Sequence, residues 1–282
     1  LGFPIRAESI AGVETEGTLA DTMTLNLHIR TGHRVLYHLK DFHAADADGL
    51  YSAVNSLAWE NYLDVKEFLT VHAAVDNPSI TDTRYANLKC KDAIVDRMVE
   101  KRGKRPDSGP GMTGAVVFLY WKGDRGTIYL DTTGEPLSKR GYRKIPGKAP
   151  IQETLAAAVI MATGWDRRSH FVNPMCGSGT LAIEAALMAL NRAPGILRRD
   201  FAFMHLLGYD RRKWEALRQQ ARNSAVKPMG GRIVASDISQ QAMTAARKSA
   251  MTAGVEHLVS FSTCDFRETA IPQGGGVVIL NP

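Results

Sequence analysis

The sequence has little cysteine and no long hydrophobic run. Its three cysteines, Cys90, Cys176 and Cys264, are odd in number and far apart. That excludes a disulfide framework and a Cys-x-x-Cys metal site, and it fits a reducing, cytoplasmic setting. The longest nearly uncharged apolar stretch, Leu155 to Trp165, falls well short of the ~20 residues of a membrane-spanning helix. No Gly-Lys-Ser/Thr follows a glycine turn, so a P-loop is excluded. No methionine opens the chain and no signal-like stretch follows it, so Leu1 reads as an interior cut.

With 44% apolar and 23% charged side chains, the chain can bury a core. Its 282 residues suit two domains of about 100 to 200 residues each. The net charge of +6 is unevenly spread: residues 1–83 carry 5 basic and 12 acidic groups, 84–148 carry 15 and 7, and 192–232 carry 10 and 3. Two basic segments in an otherwise acidic protein fit contact with a polyanion, or else solvated helix faces.

Met23 to Arg30 alternates apolar and polar residues without a break, which predicts a half-buried strand returning as a hairpin through Val35, Tyr37 and Leu39. A helix around Leu50 to Ala58 and a strand at Glu67 to Val75 follow. The next helix, Tyr85 to Lys101, has Leu88, Ile94, Val95, Met98 and Val99 inward. Val116 to Tyr120 and Thr127 to Asp131 read as a hairpin around Lys122-Gly123-Asp124, completing a small α+β module. From Ile151, helices (151–163, 180–191, 240–253) alternate with strands ending at Val172, Ser236, Ser262 and Leu280. That order predicts a doubly wound, mainly parallel sheet.

Four polar positions close those strands: Asn173 with the turn Pro174-Met175-Cys176-Gly177-Ser178-Gly179-Thr180, then Asp237, Asp265 and Asn281-Pro282. In an open α/β sheet, ligands bind across the carboxyl ends of the strands, so all four share one rim. Individually each has a plainer reading, as a tight turn or a helix cap. The ribose acid of a dinucleotide fingerprint follows the glycines by about 20 residues. Asp237 lies 58 beyond Gly179, which disfavours a nicotinamide enzyme.

Asn173 to Leu181, Ile183-Glu184-Ala185-Ala186, Arg192-Ala193-Pro194-Gly195 and Asn281-Pro282 closely resemble the bacterial THUMP-domain RNA methyltransferases. Leu130 to Gly134, Lys139-Arg140-Gly141-Tyr142-Arg143, Ala149 to Ala156 and Leu88 to Asp96 match that family as well. The likeness is greatest to the large-subunit ribosomal RNA guanine-N2 methyltransferases. It implies an α+β module over 1–135, with a THUMP domain at about 40–131. A basic linker (136–150) and a Rossmann-like class I methyltransferase domain (151–282), incomplete at its C-terminal end, would follow. Asn173 stands where many members have Asp, and the chain stops before the second proline and aromatic residue that follow Asn-Pro in the family.

The resemblance assigns Asn173 to Gly179 to the methionine part of S-adenosylmethionine, Asp237 to the ribose, Asp265 to the adenine amine, and Asn281 with Pro282 to the target base. Thr180, Ile238 and Phe266 are expected among the cofactor-binding residues as well. It implies methyl transfer to an exocyclic base amine, with guanine N2 of ribosomal RNA expected. The expected partner is RNA, as ribosomal RNA or an assembly intermediate, with neither membrane nor metal. Lys89, Lys91, Arg97 and Lys101 on the THUMP helix, Lys139, Arg140, Arg143 and Lys144 in the linker, and Arg198 and Arg199 beyond it are the expected phosphate contacts. Phe201, Phe203 and Trp214 lie among cations, where they suit unpaired bases or simply pack. A non-catalytic RNA-binding module or inactive fragment is the second reading, separated from the first by S-adenosylmethionine binding.

Overall fold

A computed structural model describes residues 1–80, 82–110, 113–145, 150–227 and 230–281. The chain forms two compact units, one comprising Leu1–Asn26, Arg34–Pro136 and Arg199–Arg211, the other Leu27–His33, Leu137–Arg198 and Arg212–Pro282. Residues 137–145, expected as linker, instead belong to the second unit, where Leu137, Ser138, Arg140 and Tyr142 are buried. Residues 199–211, expected in the catalytic half, belong to the first.

The first unit opens with an exposed antiparallel hairpin, β1 (Ile5–Glu8) and β2 (Val13–Thr15), which the sequence reading missed. The predicted strand at Met23 to Arg30 is a helix, α1 (Asp21–His28). Its buried positions are Thr22, Met23, Asn26 and Leu27, the spacing of a helix face rather than a pleat. Asn26 is fully buried because its amide donates to the Thr22 carbonyl and the Thr132 hydroxyl (both 2.9 Å) and accepts from Thr133 (2.6 Å). The overlooked signal was Thr18-Leu19-Ala20-Asp21, a capping box whose Asp21 carboxylate takes the Thr18 N–H and hydroxyl at 2.7 Å.

Beyond α1, β3 (Leu36–His43), α2 (Ala47–Asn55), β4 (Leu69–Asp76), α3 (Thr83–Arg102), β5 (Ala115–Lys122) and β6 (Arg125–Asp131) follow the expected order. The sheet runs β3-β6-β5-β4, with β4 and β5 parallel and the other pairs antiparallel. β3 therefore pairs with β6 rather than with an N-terminal strand. On α3 the buried face is Ala86, Cys90, Ala93, Ile94, Val95 and Met98. Leu88 and Val99, expected inward, are about half exposed at 53% and 44%.

The segment 199–211 is tied to the first unit through His205. Its ring nitrogens lie 2.7 Å from Glu67 and 2.9 Å from Asp200, an arrangement that makes both nitrogens donors and so favours the imidazolium. Burial would lower its pKa, but the hydrogen bonds that the ring donates to the two carboxylates outweigh that and raise it above 6.5. A raised histidine pKa contributes stability that is complete below the unfolded value and lost as pH rises through the folded value. Thermal midpoints should therefore fall between pH 6 and 8, and H205Q should remove that component of the fall; an unchanged slope would break the assignment.

The second unit contains α4 (Glu153–Ala162), β7 (His170–Asn173), α5 (Thr180–Ala189), α6 (Arg211–Asn223), β8 (Ile233–Asp237), α7 (Gln240–Ala253), β9 (Val259–Thr263) and β10 (Gly276–Val278). Its sheet is fully parallel among the described residues, in the order β10-β7-β8-β9. The doubly wound expectation holds. α6 was not anticipated, since only Trp214 and Ala221 of its thirteen residues are buried and its cations mask the apolar spacing. α5 is buried almost throughout, with Leu181, Ala182, Ile183, Ala185 and Ala186 in the core. Among the described residues, no helix is long and apolar enough to cross a membrane.

Candidate functional site

β7 ends at Asn173, and the chain turns through 174–179 into α5. Gly177 (φ +53°) and Gly179 (φ +77°) occupy left-handed backbone, and a Cβ on Gly179 would come within 3.0 Å of Ala246. Close packing of the turn on α7 therefore calls for glycine at 179. Met175 also has positive φ (56°), a costly conformation for a residue with a side chain. The Cys176 N–H donates to the Ser236 carbonyl (2.8 Å), fixing the turn to β8. The Cys176 thiol is pushed up to about 12 by burial and, secondarily, by Asp237, so it stays protonated and is no nucleophile at neutral pH.

The turn surrounds a recess lined by Pro150, Ile151, Asn173, Met175, Cys176, Gly177, Ser178, Thr180, Leu181 and Asn281. Two strand ends thus meet in one cavity: the turn after β7, and Asn281 beyond β10. A side-chain bond joins them, because Asn173 Nδ2 donates to the Ile279 carbonyl at 2.8 Å while the Ile279 N–H donates to Val172 at 2.9 Å. Asn173 is only 1% exposed, and its Oδ1 is buried without a partner. A buried acceptor left bare costs free energy unless a ligand supplies the donor. Pro282 lies outside the described residues. Pro150, Ile151 and Leu181 had no assigned role in the sequence reading, although all three fall within the recognised tracts.

Asp237 ends β8. One carboxylate oxygen accepts from the Gly177 N–H (2.8 Å) and the other from Ser239 (2.9 Å). Helix capping, the plainer reading of this acid, falls to Ser239, whose hydroxyl accepts from Ala242. Asp237 instead buttresses the glycine turn. Asp265 follows β9 and is gripped by Arg267 at 2.9 and 3.0 Å; these bonds hold its carboxyl down at about 2. The neighbours Ile238 and Phe266 are large apolar side chains left 73% and 53% exposed.

The expected phosphate contacts divide sharply. Arg140 is 1% exposed and cannot meet RNA; its guanidinium lies 2.9 Å from Glu184 and donates to the Arg30 carbonyl. Arg198 is likewise buried, at 6%. Arg143 is bonded to Ile151 and Thr180 and paired with Glu153. Arg97 makes two hydrogen bonds to Glu60 (2.6 and 3.1 Å), bracing the turn at Trp59–Asn61. Lys89, Lys91 and Lys101 pair with Asp48, Asp92 and Glu100, surface bridges weak enough to be exchanged for phosphate. Lys139, Lys144 and Arg199 are exposed. Phe201 and Phe203 stack on each other, buried, with centroids 5.1 Å apart, and Trp214 is buried too. None of the three is a platform for bases.

A family model described as RMKL-like, methyltransferase domain, matches residues 140–282, and a THUMP domain model matches 44–131. The Ribosomal RNA large subunit methyltransferase K/L of Psychromonas ingrahamii is 40% identical over 281 residues, covering 96% of this chain and 37% of that protein. The protein of the same name from Aliivibrio fischeri is 36% identical over 277 residues, covering 96% and 39%. The chain thus spans little more than a third of these relatives' length. Among solved structures, a Listeria monocytogenes protein described as a predicted N6-adenine-specific DNA methylase superposes with a TM-score of 0.89 at 31% identity, covering 100% of this chain and 73% of that one. SMU.472, described as a putative methyltransferase complexed with SAH, gives 0.88 at 30% identity, covering 100% and 74%. On these matches, which join a glycine-turn recess to one sequence family, the chain belongs to the RMKL-like methyltransferases and carries a THUMP domain ahead of its methyltransferase domain.

Proposed function

We propose that the chain is an S-adenosylmethionine-dependent RNA methyltransferase unit acting on an exocyclic base amine, guanine N2 of large-subunit ribosomal RNA, in the cytoplasm. The observation that carries this reading is the single recess holding both the glycine turn and Asn281. When bound, S-adenosylmethionine supplies a methyl group activated on a sulfonium.

The bare Oδ1 of Asn173 fits the ammonium of the donor's methionine part, and the turn from Pro174 to Thr180 surrounds that part. Asp237 keeps lone pairs for the ribose hydroxyls while it braces Gly177. Asp265 takes the adenine amine, with the exposed Ile238 and Phe266 offering apolar faces to the ring. Asn281 presents its side-chain oxygen to the target amine. That amine is a poor nucleophile, because its lone pair is delocalised into the ring. An acceptor on its N–H holds it in line and stabilises the positive charge that develops during transfer, so no strong base is required. The base leaves its stack to reach the recess.

Exposed Lys139, Lys144 and Arg199 are the cations best placed to hold phosphates without reading sequence. The ribosomal substrate rests on the names of relatives alike over 96% of this chain. Calorimetry with S-adenosylmethionine followed by nucleoside mass spectrometry tests the reading. N2-methylguanosine formed in large-subunit RNA is the expected product. N6-methyladenine formed in DNA instead would move the substrate, and absence of donor binding would remove the enzyme reading.

A further inference from the structure

Arg143 stands in the tract Lys139 to Arg143, whose cations resemble RNA contacts in sequence, yet its side chain is committed inward and only 20% exposed. Nη2 donates to the Ile151 carbonyl at 2.8 Å and to the Thr180 hydroxyl at 2.9 Å, with the Glu153 carboxylate at 3.3 Å. Ile151 and Thr180 both line the recess, so one guanidinium ties two of its walls together.

A guanidinium has donors only. Thr180 Oγ1 must therefore accept from Arg143, and its own O–H is left to donate elsewhere. Ser178 Oγ lies 3.4 Å from it, a long contact. Thr180 is also the first residue of α5, and Gly179 before it provides no side-chain cap. The first N–H groups of that helix thus have no partner within the helix and attract negative charge. Asn173, buried and lining the same recess, contributes the opposite polarity through its bare Oδ1. An acceptor at one wall and oriented donors at another complement the ammonium and carboxylate of a zwitterionic α-amino acid.

We infer that Arg143 is a positioning residue for the carboxylate end of the methyl donor, acting through the hydroxyl of Thr180 rather than by touching the donor. This rests on the donor reading above. Glu153 sets the guanidinium and neutralises it, so Arg143 acts by orienting the hydroxyl and not as a bare positive charge.

The test is calorimetric titration of the full chain with S-adenosylmethionine and with 5′-methylthioadenosine, which keeps the adenosine and thioether but lacks the amino acid. R143M is expected to weaken S-adenosylmethionine by about tenfold or more while leaving 5′-methylthioadenosine within about twofold. T180V, which keeps both shape and the Arg143–Glu153 pair, should show the same split. Equal weakening of both ligands, or of neither, overturns the role of Arg143. Failure of the unmodified chain to bind S-adenosylmethionine overturns the donor reading itself, and is distinguished because no variant is needed to see it.

Discussion

Replacing Asn281 with alanine is expected to lower kcat for methyl transfer by about 100- to 1000-fold, the scale seen when one preorganised polar group is removed from a developing charge. The affinity for S-adenosylmethionine should stay within about threefold. The split follows from position. Asn281 lies past β10, in the recess but remote in the chain from the turn 173–180 and from Asp237. The strand that delivers it is held by the backbone: Gly276, Val277 and Val278 pair with His170, Phe171 and Val172, and the Ile279 carbonyl takes the Asn173 amide. None of these bonds involves the Asn281 side chain, so the variant should fold with an unchanged thermal midpoint. An interaction made only in the transition state appears in kcat and kcat/KM alike. Equal loss of donor affinity and turnover would show that Asn281 holds the donor rather than the base.

Much of the second unit could be read from the sequence because its signals are local. The short runs of β7 and β8 lead into helices, and all four strands are followed by a polar residue at the same end, which suffices to place a parallel sheet and its working rim. The first unit was less legible where burial is polar. Asn26 sits in the core because Thr132 and Thr133, more than a hundred residues away, satisfy it, and no periodicity within residues 23–30 reveals partners at that distance. α6 failed in the opposite sense, being a helix with so little buried surface that its charge dominates its pattern.

The cations were the hardest to interpret. Lys139 and Arg140 are adjacent in sequence, yet one is exposed and the other lies 1% exposed against Glu184. Counting charge by segment cannot separate a phosphate contact from a buried strut. The same limit applies to Arg143, whose partners Ile151, Glu153 and Thr180 are known only from the fold.

The strut itself supports the largest stability effect. Glu184 is the one charged residue of α5 and is fully buried. Its Oε1 lies 2.9 Å from Arg140 Nε and accepts from the Tyr142 hydroxyl at 2.9 Å. Arg30 is a second desolvated cation: burial brings its pKa down to about 10, and the charge of Glu184 acts to raise it. E184A removes the anion and leaves two desolvated guanidinium groups without it, a loss of roughly 3 to 5 kcal/mol by analogy with other broken buried pairs. E184Q keeps a partner for Tyr142 but not the charge, and should fall in between. If the cost comes from the stranded cation rather than from lost packing, replacing both partners with apolar residues in R140M/E184L should recover most of it. Urea denaturation of the four proteins measures this. A double variant as unstable as E184A would mean that the bonds themselves, including the one from Arg140 to the Arg30 carbonyl, hold the unit together. An E184A loss below about 1 kcal/mol would mean that water reaches the site and the pair is not buried in solution.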